Sequence, residues 1–253
     1  MIPENEFREK ARIFNLPIST IERDYAQDWL LAFFPKMALK GGTGLRKIYF
    51  KDYRFSDDLD FTLLDDVSFD ELKQKIQKTV TRSRDESGIN FLDEIKSEEV
   101  ANGYIFTIYF NIIRTTGDPL KIKIDITNKE NENVLLDILN KTIIHSYSDK
   151  FNKKIMVYSL EEIFAEKARS LFERVRPRDL YDIWYLSNYT NFDKSLFKKK
   201  CEFKNLTPKI GELLTRKTEF INSWDNSLKH QLRELPSASK VFNHVIKFLE
   251  NNF

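Results

Sequence analysis

The chain has 253 residues, 32% charged and 41% apolar, with 41 Lys and Arg against 39 Asp and Glu for a formal charge of +2. That is length enough for one large domain or two small ones with a substantial core, and the near-neutral balance excludes a molecule basic all over for nucleic acid. One cysteine, Cys201, excludes a disulfide framework and a multi-cysteine zinc site, and the three histidines, His145, His230 and His244, lack ligand spacing.

The opening Met1–Glu6 lacks the basic-then-apolar order of a signal peptide. No apolar run approaches the roughly 18 residues of a membrane span, so the chain is expected in the cytoplasm. Residues 18–34 read as a helix, because Ile21, Tyr25, Trp29 and Phe33 recur every four positions and Ser19-Thr20 precede Glu22 as a cap. "PKMALKGG" (35–42) reads as a short strand entering a tight turn, and "TGLRKIYF" as a helix starting just after the double glycine. From 58 to 63 the pattern alternates, with Leu59, Phe61 and Leu63 on one face and Asp58, Asp60 and Thr62 on the other. A polar helix follows over 68–84. Strands are expected over 103–113 and 120–127, joined by the turn "RTTGDP", and in the second Ile122, Ile124 and Ile126 oppose Lys121, Lys123 and Asp125. Beyond about 150 the periodicity is helical, over 159–175, 178–188, 207–223 and 238–250. The expected fold is therefore α+β, with a small mixed sheet and flanking helices in residues 1–153 and an all-helical domain in 154–253.

Asp58, Asp60 and Asp125 thus occupy the polar faces of two strands. Like charges at that spacing repel, and either protonation of one partner or a divalent cation relieves the repulsion. An all-oxygen donor set suits Mg²⁺ or Mn²⁺ rather than Zn²⁺. The plain alternative is a solvated polar face. The glycine turn weighs against it: "KGGTGL" places backbone N–H groups at the start of a helix without a Cβ to block a phosphate. A phosphate cradle followed by cation-binding acids suits a nucleoside triphosphate.

"KGGTGLRKIYF…RFSDDLDF", then "KIDI", then "SLEEIFAEKARSLFERVRPRDLYDIWYL" resembles the AbiEii/AbiGii type nucleotidyltransferases of the polymerase-β-like superfamily, which include type IV toxin–antitoxin and abortive-infection toxins and the MenT toxins. The likeness spans roughly residues 20 to 190. It implies a nucleotidyltransferase fold in the N-terminal domain and nucleotide contacts at Gly41, Gly42, Thr43 and Ser56. It also implies metal binding at Asp58, Asp60 and Asp125, with Asp125 able to activate the acceptor hydroxyl, a phosphate contact at Lys167, and a later functional acid at Asp182. Arg46 departs from the small polar residue that the resemblance leads one to expect, which would alter the nucleotide pocket.

Lys167 lies in a helical stripe with Leu160, Ile163, Phe164 and Leu171, where a lysine either snorkels at the rim or meets an anion. Pro177-Arg178-Asp179 looks like a helix start, which gives Asp179 a structural task and leaves Asp182 as the functional candidate. "KSLFKKKCEFKNLTPK" (194–209) carries six lysines and suits a phosphate backbone such as a tRNA acceptor stem, or equally a solvated helix face. Tyr181, Trp184 and Tyr185 could stack a base but at helical spacing suit a core. The expected reaction moves a nucleoside monophosphate from an NTP to an acceptor hydroxyl, with tRNA 3′ ends as acceptor and an antitoxin as partner. Protein nucleotidylation and a catalytically silent nucleotide-binding module are the alternatives.

Overall fold

The computed structural model describes residues 1–113 and 116–252, so the turn expected over 114–119 lies partly outside the described residues. The chain divides into two compact units, one of residues 1–132 and 138–158 and one of residues 133–137 and 159–253.

The first unit opens with α1 (Glu4–Phe14) and α2 (Ile18–Leu31). It continues through β1 (Met37–Lys40), α3 (Gly41–Gly44) and a wide π-helical turn over Leu45–Tyr49. Then come β2 (Asp58–Leu63), α4 (Phe69–Ser87), β3 (Asn90–Val100), β4 (Gly103–Asn111) and β5 (Leu120–Thr127), with β6 (Leu139–Thr142) and β7 (Lys154–Val157) completing the set. Among the described residues these strands form one seven-stranded sheet in the order β3-β4-β5-β2-β1-β7-β6. The β2–β5 and β1–β7 pairs are parallel and the others antiparallel. The sheet is mixed, as expected, but larger than the sequence suggested. The expected boundary at 153/154 falls just before β7, whose Val157 pairs with Leu39 in the first unit.

Alternation decides which face of the sheet is apolar. Leu59, Phe61 and Leu63 of β2, Phe106, Ile108 and Phe110 of β4, and Ile122, Ile124 and Ile126 of β5 are buried in one core. Ile21, Tyr25 and Leu30 of α2 and Leu72, Ile76 and Val80 of α4 belong to that same core. Each such side chain contributes about 1.5–3 kcal/mol by leaving water. With the apolar residues of β2 and β5 turned that way, the alternate residues Asp58, Asp60, Lys123 and Asp125 necessarily line the opposite face.

Local signals place the helices. Ser68 Oγ accepts a hydrogen bond from the Glu71 backbone N–H, capping α4, and Gly88 closes that helix with φ +71°. The cap expected at Ser19-Thr20 is not used, because α2 begins at Ile18, directly after Pro17. Its most polar residues are buried instead. Asp24 Oδ1 meets Arg46 Nε at 2.6 Å and Lys47 Nζ at 2.8 Å, and Asp28 meets Lys47 Nζ at 2.7 Å. His145 bridges Asp28 (Nδ1, 2.9 Å) and Asp149 (Nε2, 2.7 Å), so it is a packed residue. Burial disfavours the Asp24 carboxylate, but Arg46 and Lys47 outweigh it and hold its pKa well below the usual range.

The second unit carries α5 (Leu160–Glu173), α6 (Pro177–Leu186), α7 (Lys194–Phe203), α8 (Ile210–Thr215), α9 (Lys217–Leu228) and α10 (Ala238–Asn252). The single helix expected over 207–223 is two, meeting at Arg216. Ser159 caps α5 through the Glu162 N–H, and Pro177 at the first position starts α6, where a missing N–H costs nothing.

Candidate active site

The acids assemble by register. Across the parallel β2–β5 pair, Asp60 stands opposite Asp125 and Asp58 opposite Lys123. Strands about 4.8 Å apart put Asp60 and Asp125 side by side on one face, with Asp58 about 6–7 Å along β2. On the other side of β2, Lys40 stands opposite Asp60 in the antiparallel pairing with β1, so Lys40, Asp60 and Asp125 form a row across three strands. Asp125 is bound by Lys123, whose Nζ lies 2.7 Å from Oδ1 and 3.0 Å from Oδ2.

The glycine turn follows directly from that row. Gly41 has φ +67°, and a Cβ there would lie 2.4 Å from Asp60 Oδ2, so glycine is required both by the backbone and by the carboxylate packed against it. A Cβ on Gly42 would lie 2.7 Å from Arg54 Nη2 and 3.1 Å from Ser56 Oγ. The double glycine therefore lets Asp60, Arg54 and Ser56 approach the turn. The helical turn includes both glycines rather than starting after them. Thr43 is buried and donates its hydroxyl to the Asp58 carbonyl, which ties the turn to the first residue of β2. Ser56 is buried, and Gln27 Nε2 of α2 donates to its carbonyl at 3.0 Å.

Arg46 corrects an expectation. It is turned to Asp24 and the Tyr53 carbonyl, with its guanidinium 3.4 Å from the centroid of the Phe55 ring, and it anchors the segment after the glycines onto α2. Its ion pair with a buried carboxylate explains why a large cation stands where a small polar residue was expected.

The residues fit a divalent cation in donor type and in register. Among the described residues, however, no three His, Cys, Asp or Glu side chains gather as a ligand set. The positive charge beside Asp125 comes from the Lys123 ammonium.

Lys167 and Asp182 belong to the second unit, and the structure brings them together. Lys167 Nζ lies 2.9 Å from Asp182 Oδ2 and 2.7 Å from Asp179 Oδ1, while Arg174 Nε reaches Asp179 Oδ2 at 2.9 Å. Lys167 is thus held by two buried carboxylates. Burial opposes the charged form of Asp179, yet Lys167 and Arg174 keep its pKa well below the ordinary value.

The lysine-rich segment is less uniform than its composition. Lys198 and Lys199 are exposed, but Lys200 is fully buried, with Nζ 2.6 Å from Glu162 Oε1 and donating to the Asn133 carbonyl. Phe197 and Tyr181 are buried, and Trp184 and Tyr185 are half-buried, so Tyr181 and Phe197 serve packing. Burial pushes the Cys201 thiol up to about 11, which leaves it unreactive at neutral pH.

Sequence reasoning gave no role to Lys40, Arg54 or Lys123. Lys40 is buried, with Nζ 3.7 Å from Glu132 Oε2, and Arg54 is buried beside Gly42. The signal for both was adjacency: Lys40 precedes the double glycine, and Arg54 lies two residues before Ser56.

The family model described as "Nucleotidyl transferase AbiEii toxin, Type IV TA system" matches residues 25–247, so the likeness continues well past the segments that first carried it. No curated protein matches the sequence. Among solved structures, the nucleotidyltransferase toxin MenT4 from Mycobacterium tuberculosis is similar with a TM-score of 0.66 at 17% identity, covering 98% of this chain and 88% of that one. A proposed nucleotidyltransferase from H. pylori is similar with a TM-score of 0.57 at 18% identity, covering 92% of this chain and 94% of that one. At such identities the structural likeness speaks for the fold. Among the described residues no helix is long and apolar enough to cross a membrane.

Proposed function

Because this chain belongs to the nucleotidyl transferase AbiEii toxin family of type IV toxin–antitoxin systems and is a nucleotidyltransferase, we propose that it transfers a nucleoside monophosphate from an NTP to the 3′ hydroxyl of a tRNA. The observation that carries this reading is the row of Asp60 beside Asp125, packed against Gly41 of the glycine turn. In the reaction the acceptor oxygen forms a bond to the α-phosphorus as the bond to pyrophosphate breaks, and the acceptor proton passes to a base.

Asp58, Asp60 and Asp125 would hold Mg²⁺ or Mn²⁺, which when bound neutralises phosphate charge and lowers the pKa of the attacking hydroxyl. The chain's own contributions are positional. The backbone N–H groups of Gly41 and Gly42 cradle the triphosphate, and Ser56 and Arg54 border that turn. Thr43 holds the turn to β2 through the Asp58 carbonyl. Asp125 accepts the acceptor's proton once freed from Lys123. Positioning and fixed charge supply most of the acceleration in such transfers. Lys198 and Lys199, exposed on α7, contribute charge for a tRNA backbone. An antitoxin partner follows from the type IV assignment.

The test is to incubate the protein with Mg²⁺ and each of the four α-labelled NTPs, together with tRNA or with a protein pool. Label in tRNA supports this reading. Label in protein alone replaces it with protein nucleotidylation.

A further inference from the structure

Lys123 is in contact with Asp125, an acid of the proposed metal face. It reaches both oxygens of Asp125, at 2.7 and 3.0 Å, from two positions earlier on the same face of β5. Its Cα is paired with Asp58, and Asp125 with Asp60, so its ammonium sits at the corner of the acid cluster rather than outside it. Lys121, two residues further back on the same face, is exposed and lies about 6–7 Å further from the acids.

A carboxylate has a limited number of lone-pair positions, and an ammonium spanning both oxygens competes for them with a divalent ion. We propose that Lys123 is a built-in counter-ion that competes with a divalent cation for Asp125 and raises the concentration at which that cation binds. It acts through Asp125 and is therefore a positioning residue. The inference rests on the proposed metal role of the acids and adds a residue that tunes it. Because Lys123 is 44% and Asp125 34% exposed, the pair is screened by water, and the competition is modest. A pair of this kind is worth about a two- to fivefold change in an equilibrium constant.

The experiment is a direct binding titration of Mn²⁺, followed by electron paramagnetic resonance, on the full-length protein without nucleotide. Lys123→Met and Lys123→Gln are expected to tighten Mn²⁺ binding about two- to fivefold. Lys123→Arg, which keeps the cation, and Lys121→Met, which removes a charge outside the contact, should stay within experimental error of wild type. Equal affinities for wild type and Lys123→Met, with Mn²⁺ binding still lost in Asp125→Asn, overturn the proposal while leaving the metal reading standing. An equal gain in Lys121→Met reduces the effect to general charge and overturns it as well. Absence of Mn²⁺ binding in both wild type and Lys123→Met overturns the proposal together with the metal role of the acids.

Discussion

Gly41 and Asp60 are in contact: the glycine's Cα faces the carboxylate so closely that an added Cβ would meet Oδ2 at 2.4 Å. The turn and the acid are therefore one structural unit, and a change in the first is felt at the second.

Gly41→Ala tests that unit. A non-glycine residue at φ +67° costs about 1–2 kcal/mol, and the new methyl forces the Asp60 side chain to rotate away. A displacement near 1 Å at the reacting groups costs about 10²-fold in rate. Turnover should therefore fall about 100-fold while the melting temperature drops by only about 2–8 °C. Turnover within twofold of wild type would mean that Asp60 is not held by the turn.

His145 makes the first unit sensitive to pH. Burial disfavours its charged form, but hydrogen bonds and charge from Asp28 and Asp149 outweigh burial and raise its pKa above 6.5. Its contribution is fully present below about 6.5 and is lost as pH rises through the raised folded value. Asp149 runs the other way. Burial raises its pKa, the hydrogen bonds of Tyr25 and His145 outweigh that, and the net lowering gives stability that is present above 3.8 and lost as pH falls. Denaturant unfolding between pH 5 and 9 should show a decline above pH 6.5 that is reduced in His145→Gln. An identical decline in the variant would assign the pH dependence elsewhere.

Lys200 and its neighbours on α7 separate stability from binding. Lys200→Met leaves Glu162 buried without its ammonium and should cost about 3–5 kcal/mol. Lys198→Glu with Lys199→Glu should leave the melting temperature unchanged while weakening tRNA binding and flattening its salt dependence. An unchanged salt slope removes α7 from the tRNA surface.

Lys167 and Asp182 can be tested within the second unit. Lys167→Met leaves Asp179 with Arg174 and Asp182 without the ammonium, so a loss of about 3 kcal/mol is expected in thermal unfolding. Asp182→Asn retains both Lys167–Asp179 and Arg174–Asp179 and should keep the fold while abolishing transfer. Normal turnover in that variant would limit Asp182 to a structural role.

The chemistry-bearing face was legible because it depends on the period-2 pattern, which needs only the alternation of Leu59, Phe61 and the three isoleucines of β5 against Asp58, Asp60 and Asp125. The pairing of β2 with β5 was not legible, since a parallel neighbour separated by some sixty residues leaves no local trace. The short strands β6 and β7 escaped for a similar reason: four residues offer too little periodicity to stand out. Composition misled at Lys200, where a lysine in a basic run is neutralised by a glutamate nearly forty positions earlier. The partners of His145 were equally out of reach, since they include one over a hundred residues away. Long-range ion pairs are the part of a fold that sequence spacing conveys least.

The central claim, that transfer occurs at the Asp60–Asp125 face, is tested most directly by acceptor-dependent pyrophosphate release with Mg²⁺ and each NTP, in wild type, Asp60→Asn and Asp125→Asn. Loss of several kcal/mol of charge stabilisation predicts a fall of about 10³-fold in both variants, with thermal unfolding at or above the wild-type temperature. Near-wild-type release from either folded variant would contradict the claim.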